Sequence, residues 1–297
     1  MTWSLVSLTR PADDGRAVAA LRADGAVVQV PPLAGFASVL EVVRSWDAVA
    51  GALRDFSPAQ AAAVDGDWRI DAPLRYPAKV LCSGPNFTDH LSEMGESDLG
   101  PGWQPFFFLK PPTTTVVGTG AVVGIDDESV RADWEGELAV VIGRGGRAIS
   151  PADSLGHVAG YTIANDISLR APHRRPGAPA PFVWDWLASK GADGSLPLGP
   201  GVTPAWLVAD PQQLRIRTTV NGDIRQDGTT ATMVFGVAEL VAAASRLTTL
   251  EPGDVIATGT PAGTGAGHGV YLRPGDRVEV CIDGLGRLLT HIALRRS

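Results

Sequence analysis

The sequence predicts a β-rich α+β fold, and three observations carry that prediction. Hydrophobic residues make up 44% of the 297 residues and charged residues 19%, so a large core can form and disorder is disfavoured. The chain holds 35 glycines and 23 prolines, the punctuation of a turn-rich β protein. Strand-like segments outnumber helical ones and do not alternate regularly with them, which argues against a Rossmann sheet or a TIM barrel.

In chain order, Trp3-Ser4-Leu5-Val6-Ser7-Leu8 alternates like a strand. Asp24-Gly25 is a hairpin signal between 18–21 and 26–30. Phe36, Val39, Leu40, Val43, Trp46, Ala50 and Leu53 fall at three- and four-residue spacing, the signature of one helix. Arg75-Tyr76-Pro77 reads as a linker. It divides the chain into a small N-terminal α/β domain, 1–75, and a larger domain, 76–297. Strands are then expected at 80–83, 106–110, 138–142, 160–165, 214–220 and 255–258. Two more, 278–282 and 288–294, are joined through the hairpin signal Asp283-Gly284. One clear helix, 235–246, buries Phe235, Leu240, Val241 and Ala244. Leu250-Glu251-Pro252-Gly253-Asp254 then forms a turn that cannot continue a helix.

The formal net charge of −7 and a pI near 5.2 exclude nucleic acid and an anionic membrane as the main partner. A local site can still invert that sign for a small anionic substrate. Cys82 and Cys281 are far apart in sequence and form no CxxC, so a reduced, cytoplasmic setting is the simpler expectation and one disulfide is the alternative. The first residues lack the charged-then-apolar pattern of a secretory leader, and no apolar run approaches a membrane span.

Several signals lead nowhere. Gly118-Thr119-Gly120-Ala121-Val122-Val123-Gly124 has the wrong spacing for a dinucleotide loop and reads as a turn between strands. The glycine-rich run from Gly259 to Gly265 is followed by no lysine, so it is not a phosphate-binding Walker loop. There is no GxSxG and no HExxH. The five histidines, at 90, 157, 173, 268 and 291, do not pair at zinc-ligand spacing.

Asp133-Trp134-Glu135-Gly136-Glu137 sets three carboxylates at every second position, on one face if the segment is a strand. The ordinary reading of such a row is a solvated edge. Two features argue otherwise: the apolar run 138–142 starts immediately after Glu137, and a second apolar strand, 160–165, also ends in an acid, Asp166. Carboxylates meeting at a core margin raise one another's pKa values. A hard divalent cation, Mg2+ or Mn2+, relieves that cost. His90 and Glu93 stand at i, i+3, neighbours on a helical turn, where a carboxylate can orient an imidazole for general-base chemistry.

These segments together resemble the fumarylacetoacetate hydrolase family, from about Pro77 to the C-terminus. Asn86-Phe87-Thr88-Asp89-His90 with Glu93-Met94-Gly95 is similar to its lid motif, and Phe108-Leu109-Lys110-Pro111-Pro112 to the strand that follows. Asp133-Trp134-Glu135-Gly136-Glu137-Leu138 resembles its metal motif, and Asn165-Asp166-Ile167-Ser168-Leu169-Arg170 the second metal segment. Ser189-Lys190-Gly191-Ala192-Asp193 is similar to the active-site lysine region, and Leu250 to Gly263 is the most recognisable stretch.

The resemblance implies a mixed β-sandwich roll assembled as a homodimer. It implies Glu135, Glu137 and Asp166 as ligands of Mg2+ or Mn2+, and His90 with Glu93 as a catalytic dyad on a lid. Lys190 would stabilise enolate charge, and Arg170 and Thr260 would help hold the substrate. The implied activity is hydrolysis of a C–C bond in an acylpyruvate-like 2-oxo acid. Isomerisation, tautomerisation, decarboxylation or hydration on the same site are the alternatives, and a non-catalytic binding protein is a further one. Two positions depart from the family: Phe87 stands where Tyr is frequent, and Ala171 where an acid follows the arginine. The basic segment 172–180 reads as a solvated loop, with Arg174 or Arg175 as its functional alternative for meeting a distal carboxylate. Trp103 and the phenylalanines at 106–108 could line an apolar pocket, although core packing is the plainer reading of the phenylalanines.

Overall fold

A computed structural model describes residues 2–96, 99–100 and 102–295. Its frame is an eleven-stranded mixed sheet. The main path runs Val27–Gln29, Gly15–Arg22, Trp3–Arg10, Leu196–Pro204, Val158–Asn165, Gly136–Ile142, Val255–Ala257, Val80–Ser83 and Phe107–Leu109. A five-stranded sheet, ordered Asp223–Thr229, Arg215–Val220, Arg277–Ile282, Gly286–Leu294 and Ala121–Ile125, packs against it. This is the β-rich α+β class that the sequence predicts.

The apolar run of Gly136–Ile142 is continuous because both of its faces are covered. Leu138, Val140 and Ile142 join a core with Ile163, Ile256, the helix residues Leu240, Val241 and Ala244, and Ile216 and Val280 of the second sheet. Ala139 and Val141 point into the other core. There they meet Val39, Val42, Val43 and Leu53 of the N-terminal helices, together with Leu5, Leu198 and Val255. Each such Val, Leu or Ile side chain contributes about 1.5–3 kcal/mol when fully buried. Residues on either side of the expected linker therefore share a core. They also share a sheet, through the antiparallel pair Leu5↔Val202.

The single expected helix is two, Val39–Arg44 and Trp46–Asp55. Ser45 leaves helical geometry between them, its N–H closing the first helix on Glu41 O and its C=O opening the second towards Ala48 N. The helix Val237–Leu247 starts where Gly236 N donates to Glu239 Oε2 at 2.8 Å. Three of the longer strands escape sequence reading. Leu196–Pro204 holds Pro197, Pro200 and Pro204, residues that normally exclude a central strand. It is accommodated by a register shift opposite Tyr161 and Ile163, and by Gly160 and Gly201, where a Cβ would press on Thr203 O and Leu5 O. Ala121–Ile125, expected as part of a turn, is a parallel edge strand beside Gly286–Leu294. Asp223–Thr229 is largely exposed and shows no alternation to read. Both cysteines are free thiols. Among the described residues no helix is long and apolar enough to cross a membrane.

Candidate active site

Antiparallel pairing brings the start of one strand to the end of its neighbour. Gly136 pairs with Asn165 and Glu137 with Ala164, so Asp166, one residue past the strand, lies beside Glu135. Asp166 N donates to Glu135 O at 2.8 Å, and Glu135 N donates to Asn165 Oδ1 at 3.1 Å. One carboxylate oxygen each from Glu135, Glu137 and Asp166 falls within 4.8 Å of the others, and all three residues are buried.

Three cations face this triad. Lys190, the last residue of helix Trp186–Lys190, donates to Glu135 Oε2 at 2.7 Å and Asp166 Oδ2 at 2.8 Å. Lys110, fully buried, donates to Asp166 Oδ1 at 2.6 Å and Ile167 O at 3.0 Å. Arg170 donates from Nη2 to Glu135 Oε1 at 2.6 Å and from Nε to Asp133 Oδ2 at 2.8 Å. The carboxyls titrate apart. Burial would raise Glu135, but the charges of Lys190 and Arg170 outweigh it and hold the group well below the ordinary carboxylate range. Burial pushes Glu137 well above that range, and the like charges of Asp166 and Glu135 push the same way. The Gly259 amide, 2.9 Å from Glu137 Oε2, is a partial offset.

Across a cavity of ≈310 Å3 from these groups stands the helix Thr88–Glu93, with both His90 and Glu93 on the cavity wall. His90 Nδ1 and Glu93 Oε2 are 2.8 Å apart. Glu93 also accepts from Gly263 N at 2.9 Å and Thr264 Oγ1 at 3.0 Å. Burial would raise its carboxyl, but these donors and His90 together lower it. The anionic form of Glu93 places the imidazole proton on Nδ1 and leaves Nε2 free as an acceptor. Glu135, Glu137, Lys190, Arg170 and Thr260 line the same cavity. Asp166 is behind it, both of its oxygens taken by the two lysines.

The structure places some expected groups differently. Asp133 does not share a face with Glu135 and Glu137, because the strand breaks at Trp134-Glu135, between Ala132–Asp133 and Gly136–Ile142. Its carboxylate turns to Gly265 N at 2.6 Å, Ala266 N at 3.0 Å and Arg170. This is also how Arg170 is held although Ala171 supplies no acid. The Thr260 hydroxyl is engaged, donating to Gly136 O at 2.9 Å and accepting from Gln226 Nε2 at 2.8 Å. In the 172–180 loop neither Arg174 nor Arg175 reaches the cavity; Arg175 is exposed and donates to Phe182 O.

His173, to which sequence reading gave no role, does line the cavity. Its ring lies edge-on to Trp186, centroids 4.5 Å apart, and its Nε2 is buried without a partner. Burial, then the charges of Arg170 and Lys190, lower its pKa and so favour the neutral ring. Phe108 stacks on Trp186 at 4.9 Å and also lines the cavity, whereas Trp103 and Phe106 are exposed. Phe87 is buried in the second core, and a phenolic hydroxyl there would lack water. Lys110 carries one readable signal, a lone lysine directly after Phe106-Phe107-Phe108-Leu109.

Residues 79–293 match the model of the fumarylacetoacetate (FAA) hydrolase C-terminal family. The chain is 40% identical over 229 residues to oxaloacetate tautomerase YisK of Bacillus subtilis (strain 168), covering 75% of this chain and 73% of the relative. A solved fumarylacetoacetate hydrolase from psychrophilic Exiguobacterium antarcticum matches with a TM-score of 0.79 at 32% identity, covering 99% of this chain and 100% of that one. Maleylpyruvate hydrolase from Sphingobium sp. SYK-6, solved with manganese(II) and pyruvate, matches with a TM-score of 0.75 at 25% identity over 100% of both chains.

Proposed function

The chain belongs to the fumarylacetoacetate hydrolase family, and on that premise we propose that it is a divalent-metal-dependent enzyme interconverting the keto and enol forms of a small 2-oxo acid, with oxaloacetate as the first candidate. The observation that carries this reading is the convergence of Glu135, Glu137 and Asp166 in one site that faces the His90–Glu93 pair across a cavity. Three hard oxygen donors at a buried margin, one of them pushed up by burial and then by its like-charged neighbours, fit Mg2+ or Mn2+ better than zinc. A cation held there by Glu135, Glu137 and Asp166 would supply Lewis-acid polarisation of a bound 2-oxo acid.

The chain's own residues do the rest. Glu93 orients the His90 ring, and Nε2 takes the proton from the carbon next to the keto group. The C–H pair becomes the C=C bond of the enol as the keto C=O pair moves onto oxygen. The Lys190 ammonium stabilises the charge that develops on that oxygen more than the charge of the ground state. The proton is then returned to oxygen, so the atoms of substrate and product balance. Arg170 and Thr260 complete the polar lining that orients the acid, and Phe108 and Trp186 add an apolar surface beside Lys190.

The 40% identity to a tautomerase, set against 32% and 25% to two solved hydrolases, ranks tautomerisation above the C–C hydrolysis implied by the motifs alone. Hydrolysis remains the second reading because the same dyad can take its proton from water. Assembly as a homodimer belongs to the same proposal and is read from the mass in solution.

The test follows oxaloacetate enol–keto conversion by ultraviolet absorbance, with Mg2+, Mn2+ or chelator, beside product analysis on maleylpyruvate and a panel of acylpyruvates. Glu137→Ala loses Mn2+ binding and turnover together. His90→Ala keeps Mn2+ and loses turnover. Unchanged turnover in either variant sinks the assigned role. Cleavage of an acylpyruvate with no acceleration of enol–keto exchange replaces the first reading by the second.

A further inference from the structure

The glycine-rich stretch that fails as a phosphate loop is built to grip carboxylates of this chain. From 263 to 267 its donors divide into two sets. Gly263 N and Thr264 Oγ1 hold Glu93 at 2.9 and 3.0 Å. The next two amides, Gly265 N and Ala266 N, hold Asp133 at 2.6 and 3.0 Å. Gly267 N folds back to Thr264 Oγ1 at 3.4 Å. The glycines are needed for close approach. A Cβ at Gly267 would overlap the Glu93 carboxylate, and one at Gly265 would come within 2.6 Å of Asp133 Oδ1. At Gly263 the backbone has φ +98°, and a Cβ would overlap Arg225 O.

The dyad helix needs such a grip. Thr88–Glu93 is six residues long and has no side-chain N-cap, so it is too short to be stable on its own. Its start is anchored by buried Phe87 and Leu91 and by Val234 N donating to Asn86 O. Its end, where Glu93 sits, is held through the 263–267 turn, with the exposed His268 an outlying contact at 3.5 Å. On the other side, Asp133 is two residues from Glu135, and Arg170 bridges the two.

We infer that the 263–267 turn, anchored by Asp133, is the positioning element that sets the His90–Glu93 dyad against the carboxylate triad. Asp133 is thus a positioning residue and not a fourth metal ligand. The consequence for turnover rests on the proposed role of His90 in proton transfer. The positioning itself does not, and the experiment separates the two.

The test uses the full chain carrying Gly267→Ala, whose new Cβ meets Glu93 while leaving Asp133 and the triad untouched. Proton NMR reads the hydrogen-bonded His90 Nδ1–H resonance, identified by its loss in His90→Ala. In Gly267→Ala that resonance shifts or disappears. Calorimetry with Mn2+ alone shows a change smaller than the roughly tenfold loss expected when a group supporting the ligands is removed. With oxaloacetate, kcat falls on the order of 10²-fold, as misplacement by about an ångström predicts, while KM moves far less.

Glu93→Asp withdraws the carboxylate by one methylene. Combined with Gly267→Ala it costs no more than Glu93→Asp alone, a non-additive cycle. Asp133→Asn presents an amide NH2 where Oδ2 accepted from Ala266 and Arg170. It shifts the His90 resonance although residue 133 touches neither His90 nor Glu93, and it decides the question if Gly267→Ala does not fold. A wild-type His90 signal in folded Gly267→Ala or Asp133→Asn overturns the inference, as does a fully additive cycle. If the wild-type protein turns over no 2-oxo acid, the functional reading fails, while the NMR and Mn2+ measurements still judge the turn.

Discussion

Replacing Lys190 by Met tests whether the triad is an electrostatic liability that a cation relieves. Lys190 is 3% exposed and donates to two of the three carboxylates. Met matches its length without charge, so packing is nearly conserved. Removing one partner of a buried ion pair costs about 3–5 kcal/mol. An unfolding entropy of about 2.1 cal/mol/K per residue gives about 0.6 kcal/mol/K for 297 residues. The metal-free variant should therefore melt about 5–8 °C below wild type, treating the transition as two-state. Lys190 also competes for Glu135 Oε2 and Asp166 Oδ2, so its removal frees those oxygens. A tenfold gain in Mn2+ affinity adds about 1.4 kcal/mol of ligand stabilisation at saturating metal, roughly 2 °C in Tm. Thermal melts in chelator and in graded Mn2+ read both effects, and oxaloacetate assays should show a kcat loss on the order of 10²-fold or more. A metal-free variant that melts with wild type and gains no more from Mn2+ would refute the liability and the role of Lys190 in offsetting it.

Two further outcomes follow from titration. Glu137 is held well above the usual carboxylate range by burial and its like-charged neighbours, so Mn2+ and a proton compete for it. Mn2+ affinity should fall as pH drops through that raised value, and calorimetry in buffers of different ionisation enthalpy should report proton release; heats that do not depend on buffer would contradict it. Glu93 titrates the other way: its folded value lies below the ordinary 4.5 through the Gly263, His90 and Thr264 bonds, against the opposing effect of burial. Its contribution to stability is present in full above the unfolded value and is lost as pH falls through the lowered folded one. The Tm advantage of wild type over Glu93→Gln should hold at pH 6 and shrink in acid, and a gap that widens in acid would reverse the sign.

How much of this could be read from sequence depended on which residues carried periodic information. The strands 138–142 and 160–165 were legible because both faces of each are covered, which leaves unbroken apolar runs. Leu196–Pro204 was not, because its place in the sheet depends on glycines that admit close neighbours, a tertiary fact with no local signature. The hinge at Ser45 was equally invisible, since the apolar spacing runs through it. In the site, acids at strand ends announced Glu135, Glu137 and Asp166. Lys110 and His173 depend on what folds opposite them, and Asp133 was misplaced because alternation assumes an unbroken strand.

That break explains how one row of acids does two jobs. Inside Gly136–Ile142, residues of odd number face the core shared with the N-terminal helices. A carboxylate at position 139 or 141 would be stranded there without a partner, at a cost of several kcal/mol. Position 137 is the last one where the same face opens onto a cavity and an amide from Gly259. Had the strand continued backward unbroken, Asp133 would have joined the same face and added a fourth negative charge against Lys110, Lys190 and Arg170. Turning the chain at Trp134-Glu135, with the indole N–H fixed on Gly263 O at 3.0 Å, sends Asp133 to the turn that holds the dyad and leaves Glu135 with the triad. The site is thus placed where two buried strands end side by side and their acids meet Lys110, Lys190 and Arg170.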